Sequence, residues 1–244
     1  MTIKPTTRGR CLNVVALSVL TLTQVAWPQA LDVTAHVEVN RQTGRSHTVR
    51  ASSADVVIWL VATRKAPVSP DPGKTKTYTL VQKNKKFTPH LLVVPTGSNV
   101  DFPNLDPFFH NVFSLFNGKR FDLGLYEAHT HRAVRFDREG VSYIFCNIHP
   151  EMGAVVITLS TPYYGISKAD GSIVIRNVPS GSYRLHIWAE NVDNEHLNAL
   201  DRAVEISSEN TRLGDFHLTA TGDMMNHHAN KFGADYLPDV TNPY

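Results

Sequence analysis

The stretch GVSYIFCNIHPEMGAVVI, residues 140–157, combines two apolar segments with a short loop that carries three candidate metal ligands. β-Branched and aromatic residues dominate both flanks, which is typical of β-strands. Between the flanks, Cys146, His149 and Met152 follow one another at intervals of three residues. A thiolate, an imidazole and a thioether together form a soft ligand set. The stretch therefore predicts two strands joined by a loop that supplies one side of a metal site.

A further ligand must come from another part of the chain, and His110 is the best-placed candidate. It lies 36 residues before Cys146, at the head of the strand-forming segment HNVFSL (110–115). Two histidines and one cysteine in a plane, with a weakly bound axial methionine, suit copper and electron transfer. Taken singly, a buried cysteine behaves as a small apolar residue, and a lone methionine or histidine is usually structural. Because the four occur together, the sequence predicts one copper ion per chain, bound by His110, Cys146, His149 and Met152.

The rest of the chain has the pattern of an all-β protein. Short β-branched and aromatic segments recur about every ten residues and are bounded by Gly, Pro, Asn and Asp, as in sandwiches and barrels. The segments RKAPVSPDPGKTK (64–76) and STPYYG (160–165) are expected to be linkers. Strands are predicted at 33–39, 56–62, 77–82, 90–95, 99–102, 110–115, 132–136, 141–146, 153–159, 172–178, 182–189, 202–207 and 213–218.

Residues 77–159 resemble the cupredoxins, or blue copper proteins, and are most similar to the amicyanin-like and plastocyanin-like members. The resemblance rests on FTPHLLVVPTGSNVDFPN (87–104), HNV (110–112) and GVSYIFCNIHPEMGAVVI (140–157). The short loop from cysteine to methionine, with Pro150 after its histidine, is most similar to that of amicyanin. This resemblance implies a Greek-key β-sandwich that carries a type 1 copper site.

The resemblance also implies a role for each residue around the site. His110 and His149 would bind copper through ring nitrogens, Cys146 through sulfur and Met152 axially. Asn111 would tie the two ligand-bearing loops together by hydrogen bonding, which orients ligands and tunes a metal. His149 would be exposed within an apolar rim, where partners dock and electrons pass.

Residues 166–190, ISKADGSIVIRNVPSGSYRLHIWAE, resemble a second family, the carboxypeptidase regulatory-like or transthyretin-like small β-sandwich. The segments VTAHVEV (33–39) and VVIWLV (56–61) would supply its first strands, although Ala35 stands where that family usually has glycine. The cupredoxin unit is therefore predicted to be inserted between early strands of this second sandwich. The alternative is two domains in tandem, with an N-terminal hairpin on the cupredoxin.

The predicted domain organisation follows from both resemblances and from the N-terminus. Residues 1–30 have a basic start, a short apolar segment and the ending AWPQA, which is the layout of a secretory signal peptide. A retained membrane anchor is the alternative, but the apolar segment is shorter than the roughly 20 residues that span a bilayer. The predicted parts are the signal peptide (1–30), the first strands of the regulatory-like sandwich (31–66), the cupredoxin domain (67–160), the remainder of the regulatory-like sandwich (161–220) and an irregular tail (221–244).

Predicted export to a bacterial periplasm changes how the net charge and the cysteine content are interpreted. Removal of residues 1–30 takes three of the 24 basic residues and none of the 22 acidic ones, which leaves a net charge of −1. Such a chain gives no indication of binding nucleic acid or an anionic membrane surface, and no membrane span is predicted in it. Cys146 is then the single remaining cysteine, which fits a metal-bound thiolate better than a disulfide.

The sequence thus predicts an exported copper protein that transfers single electrons between redox protein partners and is not itself an enzyme. The alternatives are copper binding and trafficking, a non-catalytic copper subunit of an oxidoreductase, and a structural surface module with an inert cysteine. His129 and His131, in the segment HTH, are either a second metal site or part of a solvated loop. Soft ligands for trafficking occur in the segment MMNHH, namely Met224, Met225, His227 and His228.

Overall fold

The computed structural model of the protein describes residues 30–43, 47–64, 76–115, 118–222 and 229–236. Residues 1–29 of the expected signal peptide, the segment MMNHH and most of the first expected linker lie outside these residues. Ala30, the last residue of the expected signal peptide, begins the first strand. Within the described ranges, no helix is long and apolar enough to cross a membrane.

Almost all regular structure is β, so the predicted all-β fold class is confirmed. One short helix, α1 (Asn194–Ala199), begins after Asp193, whose carboxylate accepts a hydrogen bond from the Glu195 backbone N–H. The strands are β1 (Ala30–Thr43), β2 (His47–Arg50), β3 (Val57–Ala62), β4 (Thr77–Thr79), β5 (Val81–Lys83), β6 (Lys86–Thr88), β7 (Leu91–Pro95), β8 (Ser98–Pro103), β9 (His110–Ser114), β10 (Phe121–Tyr126), β11 (His131–Phe136), β12 (Gly140–Cys146), β13 (Gly153–Leu159), β14 (Tyr164–Ile166), β15 (Ser172–Pro179), β16 (Gly181–Trp188), β17 (Arg202–Ile206) and β18 (Arg212–Ala220).

Strands from both ends of the described chain form one unit, here called the flanking sandwich (β1–β3 and β14–β18). One of its sheets has the order β15–β1–β18, with β2 also paired to β1, and the other has the order β14–β3–β16–β17. Their facing sides bury apolar side chains such as Val37, Leu60, Leu185 and Leu218. The chain therefore leaves this unit after β3 and returns to it at β14.

The strands between these points form the central sandwich (β4–β13). Its larger sheet has the order β10–β9–β12–β13–β7, and its smaller sheet has the order β11–β8–β4, while β5 and β6 form a hairpin. The core contains fully buried residues from several of these strands, including Phe102, Phe136, Ile144 and Val156. Residues that alternate with these along β12 and β13 face the other way.

Strand β13, in the larger sheet of the central sandwich, is buried on both faces. Ala154 and Val156 of β13 lie in the central core, whereas Val155, Ile157 and Leu159 lie in the core of the flanking sandwich. A strand with two buried faces has no polar side and appears in sequence as a continuous apolar segment. This explains why residues 153–159, GAVVITL, form a nearly continuous apolar segment.

Four short strands were not predicted from the sequence, and one of them corrects an expected linker. The segment STPYYG was expected to connect domains, but β14 begins at Tyr164 within it and pairs with β3. Gly165 has no room for a side chain, because an added Cβ atom would lie 2.7 Å from Ile173 Cγ2. Strand β10 escaped prediction because it is an edge strand, and a register shift between Asp122 and Leu125 interrupts its pairing with β9. The remaining two are β2 and β6.

Candidate metal centre

Two paired strands and the loop after one of them bring three predicted ligands together. His110 begins β9 and Cys146 ends β12, and these strands pair so that Cys146 lies opposite Val112. His149 follows in the loop that leads to β13. All three residues are buried, and His149, the most exposed of them, retains only 7% of its accessible surface.

The geometry of the three donor atoms fits a bound metal ion. Cys146 Sγ lies 3.7 Å from His110 Nδ1 and 3.5 Å from His149 Nδ1, and all three atoms lie within 4.8 Å of one another. Metal–ligand bonds of about 2.3 Å to sulfur and about 2.0 Å to nitrogen, in a trigonal plane, separate those atoms by about 3.7 Å. A thiol carries one proton and can donate it to one nitrogen only, whereas a cation between the three atoms is bound by all of them.

The loop that carries Met152 is closed by its own backbone. The Cys146 N–H donates to the Met152 carbonyl at 3.2 Å, and the Met152 N–H donates to the His149 carbonyl at 3.1 Å. Met152 is fully buried in the same core cluster as Cys146. Its role as the axial ligand stays a prediction.

Opposing effects act on the Cys146 thiol. Burial raises its pKa, because a thiolate loses hydration in the interior, while backbone N–H groups of Asn111, Ile148 and His149 act to lower the pKa. Those N–H groups favour negative charge on the sulfur, and a cation beside the sulfur would offset the cost of burial. Burial outweighs the N–H groups and leaves the Cys146 pKa above its usual value, so a thiolate here depends on a cation beside the sulfur.

Asp106 is a residue of the site that the sequence analysis missed. Its Oδ2 lies 2.8 Å from His110 Nε2, on the opposite side of the ring from Nδ1, and only 5% of its side chain is exposed. Burial raises the Asp106 pKa, but hydrogen bonds from the Lys85 N–H, His110 and the Asn84 N–H outweigh it and leave that pKa below its usual value. The segment NLDPFFH gives no sign of this contact beyond a turn-forming composition.

Asn111 is placed differently from what the family resemblance implies. Its side-chain amide donates to Asp122 Oδ1 at 2.7 Å, so the side chain joins β9 to β10. The backbone N–H of Asn111 is the group that lies against the Cys146 sulfur. The link between the two ligand-bearing segments is therefore made by the main chain, as β9 and β12 are adjacent strands.

His149 is buried, so the prediction that it is exposed at the surface is wrong. The Phe108 ring lies 5.7 Å from the His149 ring and 5.2 Å from the His110 ring, measured between centroids. In the same turn, Phe109 and Leu105 are 49% and 47% exposed. An apolar surface is thus present in the turn whose Phe108 ring contacts both imidazoles.

The described end of the tail, residues 229–236, lies against the ligand loop. Tyr236 Oη donates to the Cys146 carbonyl at 2.8 Å, and the Lys231 N–H donates to Asn147 Oδ1 at 2.9 Å. Lys231 Nζ also lies 2.8 Å from Asp122 Oδ2. Residues 229–236 form no helix or strand, and contacts that span 84 to 109 residues of sequence hold them against the site.

Other histidines singled out in the sequence lie apart from this cluster. His90 is partly exposed and bonds to Glu190 at 2.8 Å. His129 and His131 are exposed, and His131 Nδ1 lies 2.7 Å from Asp101 Oδ1. Across the ranges that the structure describes, only the three clustered residues form a group of three or more His, Cys, Asp or Glu with metal-binding proximity.

No protein-family model and no curated protein matches the sequence. Among solved structures, a purple cupredoxin from Nitrosopumilus maritimus is similar to 34% of this chain over 99% of its own, at 24% identity and a TM-score of 0.31. Amicyanin from Paracoccus versutus is similar to 41% of this chain over 97% of its own, at 21% identity and a TM-score of 0.32. A copper-containing nitrite reductase from Thermus scotoductus is similar to 42% of this chain over 25% of its own, at 20% identity and a TM-score of 0.34.

The last of these similarities corrects one prediction. A nitrite reductase is an enzyme. The prediction that this chain is not an enzyme is therefore wrong, because an enzyme is among the structures that the chain resembles. The chain is shown neither as an enzyme nor as an electron carrier. The resemblance of residues 166–190 to the carboxypeptidase regulatory-like sandwich has no counterpart among the structures named above.

Proposed function

We propose that this protein is a type 1 copper protein that passes single electrons between redox protein partners. One copper ion would be held by His110, Cys146, His149 and Met152. The observation that carries this proposal is the buried cluster in which two imidazole Nδ1 atoms lie 3.5 and 3.7 Å from one cysteine sulfur. That set of nitrogen and sulfur donors is the one that suits copper in electron-transfer sites.

The bound copper would supply a one-electron couple, and the chain would supply a rigid, dry setting for it. His110 and Cys146 stand on paired strands, and two backbone hydrogen bonds close the loop that carries His149. Ligands fixed in this way move little when the metal changes charge, which favours fast electron exchange. Burial of the three donors also excludes water from the site.

The apolar turn beside the site is the proposed docking surface. Leu105 and Phe109 present about half of their surface to solvent, and Phe108 in the same turn contacts both imidazole rings. A partner seated on this turn would lie close to the ligands, because the Phe108 ring contacts both imidazoles. We assign this face to a redox protein rather than to nucleic acid, because the exported chain would be close to neutral.

Burial also bears on the trafficking alternative. A protein that hands metal to an acceptor must expose its ligands to that acceptor, whereas here His110, Cys146 and Met152 have no exposed surface. The site therefore favours retention of the metal. The same proposal includes export to the periplasm after removal of residues 1–30. It also gives the flanking sandwich a regulatory-like role as a spacing or binding element.

Titration of the purified protein, produced without residues 1–30, with copper(II) tests the function. The proposal expects an intense visible thiolate-to-copper absorption band that saturates at one copper per chain and a reversible one-electron potential. Colourless binding, or binding that is lost rapidly to a copper chelator, would contradict the electron-transfer function. Binding of a second copper per chain would favour an enzyme over an electron carrier.

A further inference from the structure

Asp106 makes a buried contact that resembles an ion pair with His110, one of the proposed copper ligands. The proposed function does not require this contact. Asp106 Oδ2 and His110 Nε2 are 2.8 Å apart, and the side chains are 5% and 0% exposed. A carboxylate is costly to bury unless its oxygen atoms are hydrogen-bonded. The Asp106 carboxylate meets this condition, and the His110 ring supplies one of its hydrogen bonds.

The carboxylate is held in place by groups other than His110. The backbone N–H of Asn84 donates to Oδ1 at 2.6 Å, and that of Lys85 donates to Oδ2 at 3.0 Å. The Asp106 N–H donates to Asn104 Oδ1 at 3.0 Å, and Asn104 Nδ2 in turn donates to the Phe108 carbonyl at 2.7 Å. The position of the carboxylate is thus set by the β5–β6 turn and by its own loop, before any metal binds.

A fixed carboxylate at Nε2 determines which tautomer His110 adopts. A neutral imidazole has one N–H, and the partner of one ring nitrogen decides whether the other is free to bind a metal. With the proton on Nε2 and donated to Asp106, the Nδ1 lone pair is directed towards Cys146 Sγ, 3.7 Å away. A ligand backed by a carboxylate is also a stronger electron donor.

We propose that Asp106 is a positioning residue that fixes His110 as an Nδ1 ligand and, through its buried negative charge, favours copper(II) over copper(I). This inference rests on the proposed function, because it concerns the same metal. In the one-electron reduction of copper(II) to copper(I), the site loses one positive charge. A buried anion nearby stabilises the more highly charged oxidised form, so it lowers the reduction potential.

The variant Asp106→Asn tests this inference, because the amide has the same shape and no charge. Loss of such an outer partner typically weakens metal binding 10- to 100-fold. We expect copper(II) affinity to fall within that range, copper(I) affinity to fall less, and the reduction potential to rise. Each tenfold difference between the two affinities corresponds to 59 mV for one electron. The ligand-to-metal absorption band and the paramagnetic resonance spectrum should shift as well.

Asp101→Asn provides a matched control. Asp101 also pairs with a histidine, His131, at 2.7 Å, but that pair is exposed and neither residue belongs to the metal cluster. The control should leave copper affinity, potential and spectrum unchanged. An Asp106→Asn protein that keeps the wild-type potential and copper(II) affinity would overturn the inference while leaving the proposed function intact.

A measurement on the metal-free wild-type protein covers the case in which Asp106→Asn fails to fold or the chain binds no copper. Nitrogen-15 NMR of the imidazoles distinguishes the two neutral tautomers. The inference expects His110 with its proton on Nε2. A proton on Nδ1 would overturn the assignment of Asp106 as the residue that directs this ring, whatever the metal titration shows.

Discussion

The central and flanking sandwiches are both two-layered and apolar inside, but they differ in the polar groups that they bury. Twelve polar or charged side chains are buried among the described residues, and ten of them belong to the central sandwich or its loops. The two in the flanking sandwich are Ser53 and Ser167. Ser167 Oγ donates to the Ser53 carbonyl at 2.5 Å, and Ser53 Oγ accepts from the Val39 N–H at 3.1 Å. Burial of polar groups costs free energy. The central sandwich bears most of this cost, and its buried polar residues include His110 and His149 of the metal cluster and Asp106, which contacts His110.

The largest expected effect comes from Cys146→Ser. A hydroxyl is a poor copper ligand and cannot give thiolate-to-copper charge transfer, so we expect the visible band to disappear completely. Absorption spectra of the copper-loaded proteins test this. Ser167→Ala is the counterpart in the flanking sandwich and should keep the band at full intensity. A band of unchanged intensity in Cys146→Ser would remove the sulfur from the site.

Leu60→Ala addresses the flanking sandwich alone. Leu60 is fully buried in its core, and truncation of such a residue typically costs about 2–5 kcal/mol of unfolding free energy through lost burial and a cavity. Chemical denaturation should show this loss, while the copper spectrum of the folded variant stays that of the wild type. A spectral change would show instead that the two cores act as one unit, through the larger sheet that they share.

Two tyrosine hydroxyls allow a finer comparison. Tyr236 donates to the Cys146 carbonyl and Tyr183 donates to the Pro179 carbonyl, each at 2.8 Å. Loss of either bond, in Tyr236→Phe or Tyr183→Phe, should lower the unfolding free energy by about 0.5–1.5 kcal/mol. Only Tyr236→Phe should also shift the copper absorption band, because its partner carbonyl belongs to a ligand. Identical spectra would limit the tail to a structural role.

The smallest expected effect is the pH dependence of the contact between the two sandwiches. The hydrogen bond from His90 to Glu190 raises the His90 pKa and outweighs burial, which lowers it. A histidine whose folded pKa is raised contributes stability that is complete below its unfolded pKa, about 6.5, and is lost as pH rises through the folded pKa. Wild-type stability should therefore fall across that interval relative to His90→Gln. Parallel pH profiles from denaturant unfolding would contradict this.

Local patterns account for the parts of the protein that were predicted well. Alternation and β-branched content located twelve of the thirteen predicted strands to within a few residues, because the signal for a strand lies in consecutive side chains. The segment predicted as one strand at 77–82 forms two strands, β4 and β5, which belong to different sheets. The Cys146, His149 and Met152 spacing is likewise local to one loop. The edge strand β10 was missed because an exposed edge with a bulge has neither steady alternation nor a continuous apolar segment.

By itself, the sequence determined an all-β chain and a soft ligand set, because residue type and spacing act over a few neighbours. Only the tertiary structure decided that Asp106 backs His110, that Phe108 covers His149 and that Tyr236 reaches the Cys146 carbonyl. The tail contact joins residues 90 positions apart, and the other two depend on how a loop folds over the ends of β9 and β12. Such contacts are set by strand pairing and packing, and no local pattern of side chains encodes them.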